Sequence, residues 1–160
     1  AHLVALDPPA CAAHAALLRP RPGRTVHLAW GDDEAAFALR VLERDHDLRA
    51  PLAALYRELR AGGPAADALR RAGPARTAAR LLRVLCELGL VAVDRAAGTV
   101  AVPAAARTDL ERSPTYRASA ARLAEGRRRL GDARPDERRA VAAATRQAEQ
   151  TAPALAVAGA

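Results

Sequence analysis

The stretch that decides the fold is Gly73-Pro74-Ala75-Arg76-Thr77-Ala78-Ala79-Arg80-Leu81-Leu82-Arg83-Val84-Leu85-Cys86-Glu87-Leu88-Gly89. Ala78, Leu81, Leu82, Leu85 and Leu88 recur at helical spacing and form one apolar stripe. Arg76, Arg80, Arg83 and Glu87 recur at the same spacing on the opposite face. Gly73-Pro74 starts this helix, and Gly89 falls where a left-handed residue ends one. Beyond it, Val91 and Val93 alternate with smaller or polar residues, Asp94 to Gly98 is a turn, and Val100 and Val102 alternate again. Pro103 cannot continue a paired strand. Working backwards, Leu52, Leu55, Tyr56 and Leu59 mark one helix. Ala65, Ala68 and Leu69 mark a shorter one after Gly62-Gly63-Pro64. Three helices followed by a two-stranded hairpin is the order of a winged helix, expected over residues 47–106.

Upstream, residues 1–46 read as a partial α/β segment. Leu3 to Leu6 is a short apolar run stopped by Asp7-Pro8-Pro9, expected as a buried strand. Ala10 to Leu18 reads as a helix ended by Pro20 and Pro22, and Thr25 to Trp30 as a second strand. Gly31-Asp32-Asp33-Glu34 opens a helix to about Arg44, with acids in the first turn where the helix dipole favours them. Strand–helix–strand–helix is the pattern of a parallel pair with a crossover. Two such strands make a poor sheet alone, so neighbouring strands are expected from another part of a longer protein.

Downstream, residues 107–160 read as a helical extension with a frayed tail. Thr108-x-x-Glu111 fits a capping box, and Ser113-Pro114 places a capping Ser before a Pro at the first helical position. Tyr116, Ala120, Leu123 and Ala124 form a thin apolar stripe with Leu130 at its end, and Gly131 stops the helix. Asp136 to Gln150 is a further candidate helix, and Thr151 to Ala160 has no polar anchor. The fold class expected is therefore α/β: a partial parallel segment, a winged-helix-like unit and a helical extension.

Composition narrows the partners. Apolar residues make up 51% of the chain, but alanine inflates that figure and adds little burial per residue. There is no Lys, so all 25 basic residues are Arg, and the formal charge is +7. The excess of Arg lies after residue 46. Guanidinium holds carboxylates and phosphates with a planar fork, so this surface suits an acidic peptide or nucleic acid. Cys11 and Cys86 both fall in helical stretches and are expected as buried small hydrophobes in a reducing compartment. No leader-like or membrane-spanning run is present, and a cytoplasmic location with no membrane partner is expected.

Catalytic motifs are not found. A phosphate loop needs a Lys, and no Gly triplet has the dinucleotide spacing. Asp7 reads as capping the turn before Pro8 rather than holding a metal. Asp32, Asp33 and Glu34 are either a carboxylate cluster or a charged helix N-terminus. Asp45-His46-Asp47 resembles a metal triplet by letters only and is expected in a linker; Cys11-x-x-His14 is half a zinc pattern. Ser113 and Ser119 have no His near them in sequence. No metal or other cofactor is expected in this chain. The binding residues expected are Arg70, Arg71, Arg76, Arg80 and Arg83 beside Leu69, with Arg83 also able to pair with Glu87 across one turn. Arg95 is the wing's one basic residue. A second candidate cleft would form if Trp30, Phe37 and Tyr56 met between the two halves, although core packing explains them as well.

Certain strings resemble a known family. Leu55-Tyr56-x-x-Leu59, Val84-Leu85-x-x-Leu88-Gly89-Leu90-Val91 and Arg107-Thr108-Asp109-Leu110-x-x-Ser113-Pro114-x-Tyr116 resemble the C-terminal accessory region of bacterial RecJ, the single-stranded-DNA-specific 5′→3′ exonuclease. Leu3-Val4-Ala5-Leu6-Asp7-Pro8-Pro9 and Val26-His27-Leu28-Ala29-Trp30 resemble the strands and loop that precede it. The family's Asp-His-His core, which holds manganese or magnesium, is absent here, as is its single-strand-binding OB domain. The resemblance therefore implies a non-catalytic domain for recruitment, by the acidic C-terminal tail of single-stranded DNA-binding protein, which ends in Pro-Phe, or by other repair proteins. The alternative is a winged-helix DNA-binding module that positions nucleic acid for the nuclease, and weak nonspecific DNA binding is expected in either case.

Overall fold

The computed structural model describes residues 1–94, 96–103 and 108–131. Those residues are mixed α/β and mostly helical, with one parallel and one antiparallel two-stranded sheet. They fall into two compact units, residues 1–38 with the described residues from 127 on, and Leu39–Gly126. Arg95, Arg107, the candidate helix Asp136 to Gln150 and the tail lie outside the described residues.

In the first unit, β1 (His2–Ala5) and β2 (Thr25–Leu28) pair in parallel, with Leu3 opposite Val26 and Val4 opposite His27. α1 (Ala12–Leu17) is the crossover, and the Arg24 guanidinium closes it by donating to the carbonyls of Leu17 and Arg19 at 2.6 and 2.7 Å. The parallel pairing follows the expected strand–helix–strand order. The expected burial of the first strand does not: Val4 is 55% and Leu6 68% exposed. Parallel strands are ordinarily covered on both faces, and within this unit one face of the pair is not.

α2 (Asp32–His46) starts as expected, with Asp32, Asp33 and Glu34 in its first turn. The Gly31 amide donates to Glu34 Oε2 at 2.7 Å, satisfying a helix-end donor and holding that carboxyl below its ordinary pKa. Glu34 therefore has a local structural role. The helix runs two residues beyond Arg44, so Asp45 and His46 belong to its last turn rather than to a linker.

The second unit holds the main core. α3 (Arg49–Arg60), α4 (Ala65–Arg71) and α5 (Ala75–Glu87) pack against one another in pairs. Leu52, Leu55 and Leu59 of α3 meet Ala68 of α4 and Leu81, Val84 and Leu85 of α5, with Leu48, Leu90 and Val91 closing the cluster. Each large aliphatic buried to this extent stabilises the fold by roughly 1.5–3 kcal/mol relative to exposure. The observed stripe on α5 is rotated from the expected one. Thr77 and Val84 are buried, while Leu82 and Leu88 are only partly so. The cause is that α5 packs against α3, α4 and a further helix, α6 (Pro114–Gly126), so its covered arc is wider than one leucine line.

α5 ends as the sequence requires. Leu88 is the last near-helical residue and Gly89 takes φ +68. The Leu90 amide donates to Leu85 O at 2.9 Å and the Gly89 amide to Cys86 O at 3.0 Å. That is the Schellman arrangement, and its two hydrophobic ends, Leu85 and Leu90, both enter the core. β3 (Ala92–Asp94) and β4 (Thr99–Ala101) then pair antiparallel. Asp94 Oδ1 accepts the amides of Ala96 and Ala97 and fixes the turn between them.

Before α6 stands one 3₁₀ turn, Leu110–Arg112. Its cap is Asp109, whose Oδ1 accepts the Glu111 amide at 3.0 Å, so the expected Thr108/Glu111 capping box is not what forms. Asp109 is one residue closer, and its short carboxylate reaches the amide two residues on. Ser113 does cap α6, accepting the Tyr116 amide at 3.1 Å. Along α6, Leu123 and Ser119 are buried and Ala124 is exposed. A π-helical turn, Arg127–Gly131, follows. Cys11 is buried, but Cys86 is exposed, because α5 turns that position away from its packed arc. No helix among the described residues is long and apolar enough to cross a membrane.

Candidate partner-binding site

The five arginines singled out from sequence have different fates. Arg70 pairs with Asp67, three residues earlier on α4. Arg71 reaches back to α3 and grips Glu58 Oε2 with Nε and Nη2, at 3.1 and 2.9 Å. Arg83 donates through Nε to Glu87 Oε1 at 3.1 Å, the one-turn pair open to that spacing. Arg80 is half-buried and its Nη1 donates to the main-chain carbonyl of Asp45, capping the C-terminus of α2. Arg76 is exposed and makes no hydrogen bond or ion pair among the described residues. Leu69 is partly buried against the core.

The exposed pairs do not lock their arginines. Pairs in high dielectric are typically worth less than about 1 kcal/mol, so Arg70, Arg71 and Arg83 can be redirected to an acidic ligand at small cost. Arg80 differs, because leaving Asp45 would strand a helix-end carbonyl.

Glu87 is not simply a solvent-facing partner of Arg83. Its side chain is 20% exposed against 73% for that of Arg83. Ser113 Oγ donates to Glu87 Oε2 at 2.5 Å, the Thr115 amide to the same oxygen at 3.1 Å, and Thr115 Oγ1 to Oε1 at 2.6 Å. Desolvation alone would raise this carboxyl, but the hydrogen bonds from Ser113, Thr115 and Arg83 outweigh it and lower its pKa to about 2. Glu87 thus fixes the arginine-bearing helix to the start of α6.

Two further residues enter the site that sequence spacing did not reach. His46 lies in the last turn of α2, next to the carbonyl that Arg80 caps. Its Nδ1 is buried and has no hydrogen-bond partner among the described residues. Burial lowers its pKa, and so does the positive charge of Arg80, of Arg122 on α6 and of Arg76; Asp45 acts in the opposite sense. Arg122 is half-buried and, like Arg76, makes no hydrogen bond or ion pair among the described residues. More than thirty residues separate His46 from Arg80 and over forty separate Arg80 from Arg122, so no sequence signal joins them.

Phe37 is 61% exposed, whereas Tyr56 packs against the second unit's core with the Arg60 guanidinium 5.9 Å from its ring centre. Ser113 is fully buried and is committed to Glu87. Among the described residues no group of three or more His, Cys, Asp or Glu side chains is placed to hold a metal. Comparison with protein-family models, with characterised proteins and with solved structures finds nothing that matches this chain.

Proposed function

We propose that the chain is a non-catalytic docking domain of a RecJ-like, cytoplasmic DNA-repair exonuclease. In this reading Leu48 to Val102 forms a winged-helix-like unit that binds the acidic C-terminal tail of single-stranded DNA-binding protein, or another acidic repair partner. The observation that supports it is Arg76, a guanidinium with no partner among the described residues, standing exposed on a helix whose opposite side is fixed in the core. An acidic peptide ending in an aromatic residue needs such a cation and an apolar surface, and Leu69 and Leu82 are partly buried hydrophobics packed against the same core. Reading a DNA groove asks more of this helix. Arg80 is committed to Asp45, and the described part of the hairpin carries one charged residue, the acidic Asp94.

The test is a titration of the chain with a tail peptide, followed by fluorescence anisotropy. Arg76→Ala should weaken binding by about tenfold, the effect of losing one charge-assisted contact of about 1.5 kcal/mol. Removing the terminal Phe should weaken it even at low salt, where charge attraction is strongest. A Phe-less peptide that binds as well as the intact one would reject the reading. So would manganese-dependent degradation of 5′-phosphorylated single strands that co-purifies with the chain.

A further inference from the structure

Within the first unit, the parallel pairing of β1 and β2 joins two histidines that lie twenty-five residues apart in sequence. His2 stands opposite Thr25, and Val4 opposite His27. Alternation along each strand puts His2, Val4, Thr25 and His27 on one face of the pair, and all four are exposed. On that face His2 Nδ1 and His27 Nε2 are 2.9 Å apart. The ring planes are within 19° of parallel, with their centres 5.2 Å apart. Backbone pairing holds this placement from both ends: the Thr25 amide donates to Ala1 O at 2.9 Å, and the Ala29 amide to Ala5 O at 2.8 Å. Arg24, just before β2, is committed to the carbonyls of Leu17 and Arg19.

We propose that His2 and His27 are the two protein ligands of a surface site for a late first-row divalent cation, such as nickel(II) or zinc(II), which clips β1 to β2. The site is independent of the docking function proposed above. Metal–imidazole bonds are about 2.0–2.1 Å long, so two that meet between a right angle and the tetrahedral angle hold their nitrogens roughly 2.9–3.4 Å apart. The observed 2.9 Å lies at the near end of that span. In the free protein the two facing nitrogens share one proton, one donating and the other accepting. When the cation binds, that proton is released to water and another is taken up at the far nitrogen of the same ring. Both imidazoles stay neutral, and two metal–nitrogen bonds replace two metal–water bonds. A donor set made only of imidazole selects copper, nickel and zinc over magnesium and calcium, which take oxygen ligands. Two ligands leave the remaining positions to water, so the site is open. The ion joins two strands of four residues each, and a ligand that binds only the paired state stabilises it.

The experiment titrates the full chain with nickel(II), zinc(II) and magnesium(II) chlorides by calorimetry, in a non-coordinating buffer at neutral pH. Nickel and zinc should each bind as one ion per chain, and magnesium should not bind. His2→Ala and His27→Ala should each weaken nickel binding by about tenfold or more, since losing even an outer-shell partner costs a metal site that much. His14→Ala and Cys86→Ser, which remove an exposed imidazole on α1 and an exposed thiol on α5, should leave it unchanged. The unaltered chain supplies a second readout that no folding defect can confuse. On addition of zinc, the imidazole NMR signals of His2 and His27 should shift together, and those of His14 and His46 should stay in place. Nickel affinity that is unchanged in either strand-histidine variant would overturn the site. So would zinc that shifts one of the two rings without the other, or an unaltered chain that binds neither ion.

Discussion

Glu87, in the last turn of α5, accepts a 2.5 Å hydrogen bond from Ser113, the residue that caps α6. One hydroxyl thus accepts the Tyr116 amide and donates to the carboxylate. A carboxylate at the C-terminal end of its own helix is disfavoured by that helix's dipole, but the positive end of α6 reverses the balance. Glu87→Gln should destabilise the chain by about 1.5–3 kcal/mol, the range for hydrogen bonds to a charged group. Ser113→Ala should cost a similar amount, and the double variant less than the sum, because the two side chains share one interaction. Urea denaturation of the four proteins in the cycle measures the coupling, and strict additivity would show that the contact carries no stability.

Acid should remove that contribution in a defined window. Above about pH 4.5, the ordinary value for the group, Glu87 is ionised whether the chain is folded or not, and the full stabilisation is present. As pH falls below that value the unfolded chain takes up the proton first, because the folded carboxyl is held down to about 2. The stability gap between the wild-type chain and Glu87→Gln should therefore narrow from pH 5 to pH 2. Denaturation midpoints at half-unit pH steps measure it, and a gap that stays constant would contradict the hydrogen-bonded geometry.

Gly89→Ala tests the helix end separately from packing. Gly89 has φ +68, and a Cβ built there would meet nothing within 4 Å. The expected cost is conformational alone, about 1–2 kcal/mol for an L-residue held in the left-handed region. Gly89→Asn should cost less, since Asn adopts that region more readily. Equal losses for Ala and Asn, measured by thermal unfolding, would assign the effect to something other than backbone strain.

Nucleic acid should bind weakly and without sequence preference. The net charge of +7 attracts phosphates, and binding that releases counterions fades as salt rises. Affinity for a short single strand should be micromolar or weaker near physiological salt, with a steep linear fall of log affinity against log salt. Nanomolar affinity for one sequence under those conditions, relaxed by Arg76→Ala, would favour the DNA-binding alternative.

Local sequence determined the elements and several of their ends. The 3.6-residue recurrence of leucines set α3 and α5, Gly89 set the end of α5, and Ser113-Pro114 set the start of α6, because these are interactions within one or two turns of chain. The strand–helix–strand order likewise led to the parallel pair. What depends on packing between distant segments was decided only in three dimensions. Cys86 and Cys11 have the same chemistry, but one faces out because of how α5 rolls against its neighbours. Glu87 and Arg83 have ideal spacing for a simple surface pair, yet Ser113 and Thr115, over twenty-five residues on, make the carboxylate a tether between helices. The arginine face was visible as a periodicity. Which arginine is occupied, and which is not, depends on where α2, α5 and α6 end relative to one another in space, and helical spacing carries no information about that.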